Sequence, residues 1–398
     1  MTYRKFKADY LFTGEGFAAA DSVLVTTDEG IVQGVVPAAA AGEEVVYYPG
    51  LLSPGFVNCH CHLELSHLRG VIPERTGLVD FLSAVMRLRG AAAGSGGADG
   101  PREMARAAAI AAGEQEMLDN GIVAVGDICN TTDTLEQKRL GRLAYTNFIE
   151  TIGFIDGGAG MRFSGSRVVW EAFETVLPGA NSIVPHAPYS VSPALFRLIA
   201  EHAGGRVLSI HNQESGEEDL FFLTGKGDFL RLYAALGLDV SFFKGTGRRS
   251  LESWLAYIDK RQPMIVVHDV ATTKEDLRAA EGFDLHFCLC PNANLYIGGV
   301  LPDVKLLMGS GRPIVVGTDS LASNHGLSIL EELKTLNAAF PDLEMSELLR
   351  WATLNGARAL GLDGELGSFA AGKKPGVVWL RDLEEGRLMA GTAVERLI

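Results

Sequence analysis

The chain has few cysteines and no long apolar run. Its 398 residues include five cysteines, an odd and low number that argues against a disulfide framework and favours a reducing cytoplasm. No segment approaches the roughly 20 apolar residues of a membrane-spanning helix, and the N-terminal MTYRKFKADYLF lacks the apolar core of a signal peptide. These absences predict a cytoplasmic protein with no membrane partner.

Basic residues are in the minority. The chain has 35 Lys and Arg against 49 Asp and Glu, a formal net charge of −14. A surface that binds a nucleic-acid backbone or anionic lipid needs excess positive charge, so this balance argues against both partners. Apolar residues make up 47% and charged residues 21%, which is typical of a globular protein and not of a disordered one.

Short strand-like segments occupy both ends of the chain. Residues 9–12, 22–25 and 31–36 are apolar runs separated by Gly and Asp turns, and residues 376–380 and 391–394 look similar. The pattern predicts one small β-sandwich domain built from residues 1–53 and 364–398.

The middle, residues 54–363, alternates short apolar runs with helical periodicity. The predicted strands are Gly55–Asn58, Ile122–Ile128, Leu143–Ile149, Ser182–Pro185, Val207–Ile210, Met264–Val267, Leu285–Cys288 and Pro313–Gly317, and the clearest helices are Glu103–Asn120, Pro193–Ala203 and Ile329–Ala339. Strands that alternate with helices in this way predict an α/β fold, a (β/α)8 TIM barrel. Two segments interrupt the alternation: the Ala/Gly-rich Gly90–Gly100, predicted as a mobile loop, and Gly216–Arg261, long enough to cover the barrel mouth.

Metal-competent side chains follow several predicted strands, and a TIM barrel builds its active site at the carboxyl ends of its strands. These residues are His60 and His62 after the first strand, then His186, His211, His268 and Asp319. Because residues two apart on a strand share a face, His60 and His62 can both face the barrel interior. Imidazole and carboxylate are common ligands of zinc and related divalent ions, so the pattern predicts a metal site.

Two Cys-x-Cys pairs, Cys59/Cys61 and Cys288/Cys290, raise the alternative of a thiolate zinc site. Both pairs lie within predicted strands and lack zinc-ribbon spacing, which favours small buried wall residues instead. Glu214 follows His211 by three residues and could reach a substrate beside the metal, or it could be a solvated loop acid.

A series of motifs resembles the amidohydrolase superfamily, in particular its deaminase and chlorohydrolase branch. The motifs are PGFVNCHCH at 54–62, HAPYS at 186–190, HNQES at 211–215, CPNAN at 290–294, GTDSLASN at 317–324, TLNGARALG at 353–361 and GSFAAGK at 367–373. They follow the order of that family and span nearly the whole chain. The resemblance implies a hydrolase that acts on a small-molecule substrate at a C–N bond other than a peptide bond, and it suggests a homodimer.

The resemblance also implies roles for individual residues. His60, His62, His211 and Asp319 would hold one divalent metal, zinc by first choice with iron or manganese as alternatives, and the metal would lower the pKa of a water molecule toward neutrality. Asp319 would accept the proton of that water, His268 would hydrogen-bond the nucleophile, and Glu214 would protonate a ring nitrogen so that ammonia can leave. His186 would contact the substrate.

The substrate is less clearly marked. HLELS at 62–66, NFIE at 147–150 and the insertion at 227–251 most resemble the aminodeoxyfutalosine deaminases, which act on an adenine nucleoside that carries a benzoate. Where related nucleoside enzymes have a carboxylate, residues 78–89 contain Arg87 and Arg89; an inward arginine, Arg87 in our prediction, would pair with a substrate carboxylate. Glu150 and Asn324 are further predicted substrate contacts.

Three functions therefore remain open at this stage. The first is deamination of an aminated heterocycle or nucleoside similar to aminodeoxyfutalosine or adenosine. The second is hydrolysis of a cyclic amide or another ring C–N or C–Cl bond in the same site. The third is a catalytically silent barrel with a structural role, which lost metal ligands would favour, but all the ligands are present.

Overall fold

A computed structural model of the chain describes residues 2–92 and 100–398. Its strands are β1 (Tyr3–Leu11), β2 (Ser22–Thr27), β3 (Val32–Pro37), β4 (Val45–Ser53), β5 (Phe56–Cys61), β6 (Ile122–Cys129), β7 (Ala144–Thr151), β8 (Asn181–Pro185), β9 (Leu208–Asn212), β10 (Met264–His268), β11 (Leu285–Leu289), β12 (Ile314–Val316), β13 (Val378–Arg381) and β14 (Ala393–Arg396).

The α-helices are α1 (Ala38–Ala41), α2 (Leu78–Ala92), α3 (Pro101–Asp119), α4 (Leu135–Lys138), α5 (Ala159–Val176), α6 (Pro193–Ala203), α7 (Gly216–Thr224), α8 (Phe229–Ala235), α9 (Ser250–Leu255), α10 (Lys274–Ala279), α11 (Pro291–Ile297), α12 (Val304–Gly309), α13 (Ile329–Ala339), α14 (Met345–Arg350) and α15 (Gly356–Ala359). Short 3-10 turns cover Leu63–Leu68, Asp156–Gly158 and Pro188–Ser190, and a π turn covers Trp351–Asn355. In the described part of the chain, no helix is both long and apolar enough to cross a membrane.

The central strands form two parallel four-stranded sheets, ordered β5-β6-β7-β8 and β12-β11-β10-β9. Most of their residues are buried, as expected for parallel strands covered by helices on one face and by a packed interior on the other. Hydrogen bonds join the two sheets at both edges: the Asp319 amide donates to the His60 carbonyl at 3.0 Å, and the His211 amide donates to the His186 carbonyl at 2.9 Å. The predicted strands and the α/β fold are confirmed.

The last central strand lies very close to the first. A Cβ atom on Gly317 would lie 2.8 Å from the His60 Cβ and 2.9 Å from the His60 amide nitrogen, so only glycine fits there. This close approach is what lets the residue that follows the strand, Asp319, pair with β5 at Cys61.

The helices begin and end where local chemistry places their caps. α6 illustrates this: the Ser192 side chain accepts from the Leu195 amide, Pro193 occupies the first turn, and Gly204 ends the helix with φ +58°. Its buried residues Leu195 and Ile199 are four apart and lie on one face. α6 and α13 match the predicted bounds, and α3 begins two residues earlier than predicted, at Pro101.

Both termini contribute to one six-stranded sheet, ordered β14-β13-β4-β1-β2-β3. β1 pairs with β4 in parallel, and the other pairs are antiparallel. Phe6, Leu24 and Val377 belong to a small apolar cluster of this region. The joining of the two termini is confirmed, but the named strands here form a single sheet, so the second layer of a sandwich stays a prediction.

The two predicted interruptions have different outcomes. The predicted loop Gly90–Gly100 begins with the last residues of α2, which ends at Ala92. Residues 93–99 lie outside the described residues. The segment Gly216–Arg261 folds into α7, α8 and α9. Phe229 of α8 stacks on Tyr189 with ring centroids 4.3 Å apart, and the Tyr233 hydroxyl donates to the Tyr189 carbonyl. Because Tyr189 lines the cavity described below, the insertion packs against the outer side of the cavity wall.

Candidate active site

The carboxyl ends of the central strands surround one cavity. It is lined by His62, Leu65, Leu78, Phe81, Leu82, Val85, Met86, Arg89, Glu150, Ile152, His186, Tyr189, His211, Glu214, His268, Asp319 and Ser320. Except for Arg89 of α2, the polar residues come from the strand ends or the residues just after them, and the apolar ones come mainly from α2. The cavity therefore joins a polar floor to an apolar wall.

Three histidines and one carboxylate converge on the floor. The His62 Nε2 lies 3.2 Å from the His211 Nε2, and the ligand atoms of His60, His62 and His211 all lie within 4.8 Å of one another. The Asp319 Oδ1 is 3.6 Å from the His60 Nε2 and 3.4 Å from the His62 Nε2. The four predicted ligands are thus brought together from β5, β9 and the residues after β12.

The hydrogen bonds around these residues fit a bound cation. The His211 Nδ1 lies 2.8 Å from the His186 carbonyl and donates to it, so the Nε2 of a neutral His211 points a lone pair toward His62. Burial lowers the pKa of His211 to about 3, which keeps the ring neutral. The His60 Nε2 is buried and has no hydrogen-bond partner. Three buried imidazole nitrogens so close together, one of them without a hydrogen-bond partner, form a donor set that fits a divalent cation such as zinc.

Asp319 is held in one orientation. Its backbone has φ +56°, an unfavourable left-handed conformation for a residue other than glycine. The Ser323 hydroxyl donates to Oδ2 at 2.6 Å, which leaves Oδ1 toward the histidines. Burial by itself would raise the pKa of Asp319, but the polar contacts with His60 and His62 outweigh it and hold this pKa well below its ordinary value.

His268 and Glu214 form a second pair beside this cluster. The His268 Nε2 lies 3.7 Å from the Glu214 Oε1, and its Nδ1 is 3.0 Å from the Asn294 amide nitrogen. His268 has φ +82°, another left-handed residue at a strand end. Burial, followed by the charges of Asp319 and Glu218, raises the pKa of Glu214 well above its ordinary value. Glu214 is therefore suited to carry a proton near neutral pH.

His186 and Glu150 complete the polar floor. The His186 Nδ1 lies 2.7 Å from the Ser190 hydroxyl, and burial followed by the charge of Arg89 lowers the pKa of His186 to about 3. The Glu150 Oε2 accepts from the Asn130 side-chain amide at 3.0 Å, while its buried Oε1 has no hydrogen-bond partner and lies 3.7 Å from the His211 Nδ1. Both residues line the cavity, where a substrate could contact them.

Two predicted substrate contacts lie elsewhere. Arg87 is exposed and does not line the cavity; two residues further along α2, Arg89 does. The sequence left open which of the two arginines faces inward, because a helix turns by 100° per residue and the pattern did not indicate the inward face. Asn324 is buried behind the floor, where its side-chain amide donates to the Thr318 carbonyl and to Glu332, so it shapes the loop that carries Asp319.

All five cysteines are buried and free. Among the described residues, the groups that could hold a metal contain histidine and glutamate and no cysteine. The interpretation of the Cys-x-Cys pairs as wall residues is confirmed.

Some residues that shape the site were missed at the sequence level. Ser323, which orients Asp319, lies inside the quoted motif at 317–324, and Asn294, beside His268, ends the motif at 290–294. Glu64 lies in the quoted HLELS segment and pairs with Arg89 at 2.7 Å. The motifs contained these residues, but their partners are distant in sequence, and no local pattern identifies them.

A buried acidic network lies behind Glu214. The Glu218 Oε1 accepts from the Gln213 amide at 3.0 Å and from the Ser250 hydroxyl, and its Oε2 is buried with no partner. Arg249 pairs with Asp219 at 2.6 Å and with Asp276 at 2.8 Å. This network links α7 to α9 and α10 and holds the segment that carries Glu214.

Replacing Glu218 with glutamine should reduce the pH dependence of stability. Burial raises the pKa of Glu218 to about 8 from an ordinary 4.5, so the folded chain holds a proton that the unfolded chain releases across this window. The free energy of unfolding contributed by this group therefore falls as the pH rises from 4.5 to 8. Glu218→Gln should melt at a higher temperature than wild type at pH 8, with a flatter profile in thermal unfolding.

The matched control is Glu252→Gln, because Glu252 is an exposed acid on α9. The stability of this variant should depend on pH as that of wild type does. Part of the fall in the free energy of unfolding with pH should remain in Glu218→Gln, because burial also raises the pKa of Glu332 to about 8. A Glu218→Gln profile that superimposes on wild type would contradict the assignment.

Known proteins resemble the chain in sequence and in fold. The chain is 26% identical over 349 residues to an aminodeoxyfutalosine deaminase of Nitratiruptor sp., an alignment that covers 84% of this chain and 80% of the relative. The structure resembles an aminofutalosine deaminase of Helicobacter pylori solved in complex with methylthio-coformycin, with a TM-score of 0.81, 21% identity, and coverage of 96% of this chain and 93% of that one. It also resembles an adenosine deaminase of Xanthomonas campestris with bound zinc, with a TM-score of 0.71, 23% identity, and coverage of 94% and 83%.

A family model accounts for most of the chain. Residues 51–385, from the end of β4 to the loop after β13, match the model of the amidohydrolase family. This segment contains every histidine and carboxylate of the cavity floor. The chain therefore belongs to the amidohydrolase family.

Proposed function

We propose that the chain is a metal-dependent hydrolase that deaminates an adenine nucleoside similar to aminodeoxyfutalosine or adenosine. The observation that carries the proposal is the placement of the buried Glu214 3.7 Å from His268, next to three converging histidines and Asp319, in surroundings that raise the pKa of Glu214. Deamination of an aromatic ring needs a nucleophile on one carbon and a proton on the neighbouring nitrogen, and these two sets of groups supply both. The deaminase relatives support the same reaction.

His60, His62, His211 and Asp319 would hold the metal, and zinc fits the donors best. A divalent metal bound there would lower the pKa of a water molecule toward neutrality and so make a nucleophile available. Asp319 would accept the proton of the attacking water, because its Oδ2 is occupied by Ser323 and its Oδ1 faces the floor. His268 would hydrogen-bond the nucleophile through its buried Nε2.

Glu214 would protonate the ring nitrogen beside the reacting carbon, which removes the aromatic stabilisation and allows a tetrahedral centre to form. Its raised pKa favours the protonated form for this step. Asp319 would then pass the proton that it took from the water to the leaving amine, and Glu214 would regain a proton from the hydroxyl of the tetrahedral centre as ammonia departs. His186 and Glu150 would contact the substrate at the edge of the floor. The apolar wall from α2 would pack against the ring and exclude water.

The same proposal includes the finer architecture. The hydrogen bonds between the two parallel sheets support a closed (β/α)8 barrel at 54–363, with residues 1–53 and 364–398 as a separate small β-domain. A homodimer and a cytoplasmic location remain predictions.

Ammonia release from a small nucleoside panel tests the function. We expect the zinc-loaded protein to release ammonia from aminodeoxyfutalosine or adenosine, and a chelator to lower the rate by about 100-fold or more until zinc is restored. S-adenosylhomocysteine, guanine and cytosine complete the panel. One metal per chain with no ammonia from any of them would contradict the deaminase and favour hydrolysis of a cyclic amide or a ring C–Cl bond.

A further inference from the structure

One lysine lies in the interior and is fully paired. Lys138, the last residue of α4, has no exposed surface. Its Nζ lies 2.5 Å from the Asp127 Oδ2, and it donates to the Asn147 Oδ1 at 2.7 Å and to the Cys129 Sγ at 3.1 Å. All three N–H donors of the ammonium therefore have partners. Burial by itself would lower the pKa of Lys138, but the charge of Asp127 outweighs it and raises this pKa, so the ammonium stays charged.

Stability alone does not account for an ion pair at this depth. Two charges lose their hydration when they are buried, and an apolar pair of similar volume is often as stable or more stable. Much of the surroundings is apolar: the ring centroids of Tyr145 and Phe173 lie 4.9 and 5.1 Å from the Lys138 Nζ. The contacts of the second oxygen of Asp127 give the pair a different role.

That oxygen holds the backbone next to a proposed metal ligand. The Asp127 Oδ1 accepts from the Leu63 amide at 2.8 Å, and Leu63 directly follows His62. β5 pairs with β6 at Cys61 and Asp127, after an irregularity in register that begins at Asn58. Because β5 ends at this pair, the Asp127 side chain fixes the chain at the point where it leaves the strand.

His62 depends on its backbone for orientation. A histidine that binds a metal usually donates its other ring nitrogen to a carboxylate, a carbonyl or a water molecule, which fixes the ring. His211 has such a bond, from its Nδ1 to the His186 carbonyl at 2.8 Å. The His62 Nδ1 is buried and has no hydrogen-bond partner among the described residues, while its Nε2 lies 3.2 Å from the His211 Nε2. The main chain on either side of His62 therefore sets the position of its ring.

We propose that Asp127 is a positioning residue of the metal site, which holds His62 through the Leu63 amide and is itself held in place by Lys138. This inference rests on the metal site of the proposed function, and it adds two residues that do not line the cavity. Removal of an outer partner of this kind typically weakens metal binding by about 10- to 100-fold, although the partner does not touch the metal.

Two double variants separate the hydrogen bond to Leu63 from the ion pair. Asp127→Asn/Lys138→Met removes both charges but keeps a side-chain oxygen that can accept from the Leu63 amide. Asp127→Leu/Lys138→Met has nearly the same shape and no acceptor. In competition with a chromogenic chelator, we expect Asp127→Leu/Lys138→Met to bind zinc about 10- to 100-fold more weakly than wild type, and Asp127→Asn/Lys138→Met to stay within about threefold of wild type.

Thermal unfolding of each variant is measured alongside, and zinc binding is compared well below every unfolding temperature. Lys305→Met/Asp342→Asn is the matched control, because Lys305 and Asp342 form an exposed ion pair at 2.7 Å and do not line the cavity. It should bind zinc as wild type does. If Asp127→Leu/Lys138→Met fails to fold, an ester bond in place of the peptide bond between His62 and Leu63 removes the same donor and leaves both side chains unchanged. The ester should weaken zinc binding by about tenfold or more.

Equal zinc affinity in the two Asp127 double variants, whether normal or weakened, would overturn the positioning role, and so would wild-type affinity in the ester variant. A wild-type chain that binds no zinc would overturn this inference together with the proposed function. Zinc binding by wild type without ammonia release from any nucleoside would contradict the deaminase proposal alone, because the comparison of zinc affinities does not depend on turnover.

Discussion

Replacing Asp319 with asparagine is expected to abolish ammonia release, with a loss in kcat of roughly a thousand-fold or more. Asparagine removes both the proton acceptor and the negative charge that faces His60 and His62 at 3.6 and 3.4 Å. The pKa of Asp319 is held well below its ordinary value, so this carboxylate is ionised at every pH where the protein would be assayed.

The fold should survive this substitution. Asparagine is isosteric with aspartate, and the Ser323 hydroxyl can rotate to accept from the new amide. The unfolding temperature should therefore stay within a few degrees of wild type, whereas the bound zinc per chain should fall. Asp284→Asn is the matched control, because Asp284 precedes β11 at the opposite end of the strands and is half exposed. Near-normal turnover in Asp319→Asn would contradict the proposed mechanism.

Replacing Glu214 with glutamine is expected to lower kcat by about 100- to 10,000-fold while leaving the zinc content near wild type. Glutamine is neutral like the protonated acid, but it has no proton to transfer to the ring nitrogen. The Glu214 carboxyl lies beside His268 and is not one of the four proposed metal ligands, so metal analysis separates this variant from Asp319→Asn.

The pH profile gives a second test of Glu214. Its raised pKa means that the acid form persists to higher pH than for an ordinary glutamate, and the rate should fall on the alkaline side as this proton is lost. Glu201→Gln, an exposed acid on α6, should keep both the rate and the profile of wild type. Retention of full activity by Glu214→Gln would show that another group supplies the proton.

The strand and helix pattern could be predicted from the sequence because it depends on local chemistry. The apolar run at 264–267 gave β10 to within one residue, and Ser192, Pro193 and Gly204 bracket α6 as caps do in any context. The positions of the proposed metal ligands were predictable for the same reason. A residue at the end of a parallel strand, or just after it, lies at the carboxyl edge of the sheet. The positions of His211 and Asp319 therefore follow from the positions of their strands.

The contacts that orient those ligands were decided by the tertiary structure. Arg89 lies inward and Arg87 outward because α2 packs against the insertion through residues such as Phe81, and no local pattern encodes that rotation. Asn324 resembled a substrate contact, but its partners are Thr318 and Glu332, and the latter arrives on a separate helix. The sequence alone therefore determined the α/β fold and the convergence of the proposed metal ligands and Glu214 at the strand ends, since each follows from local pattern and strand order. Burial and partners far apart in the chain decide which arginine faces the cavity and which oxygen of Asp319 faces the histidines. They also raise the pKa of Glu214. Only tertiary packing brings these groups together.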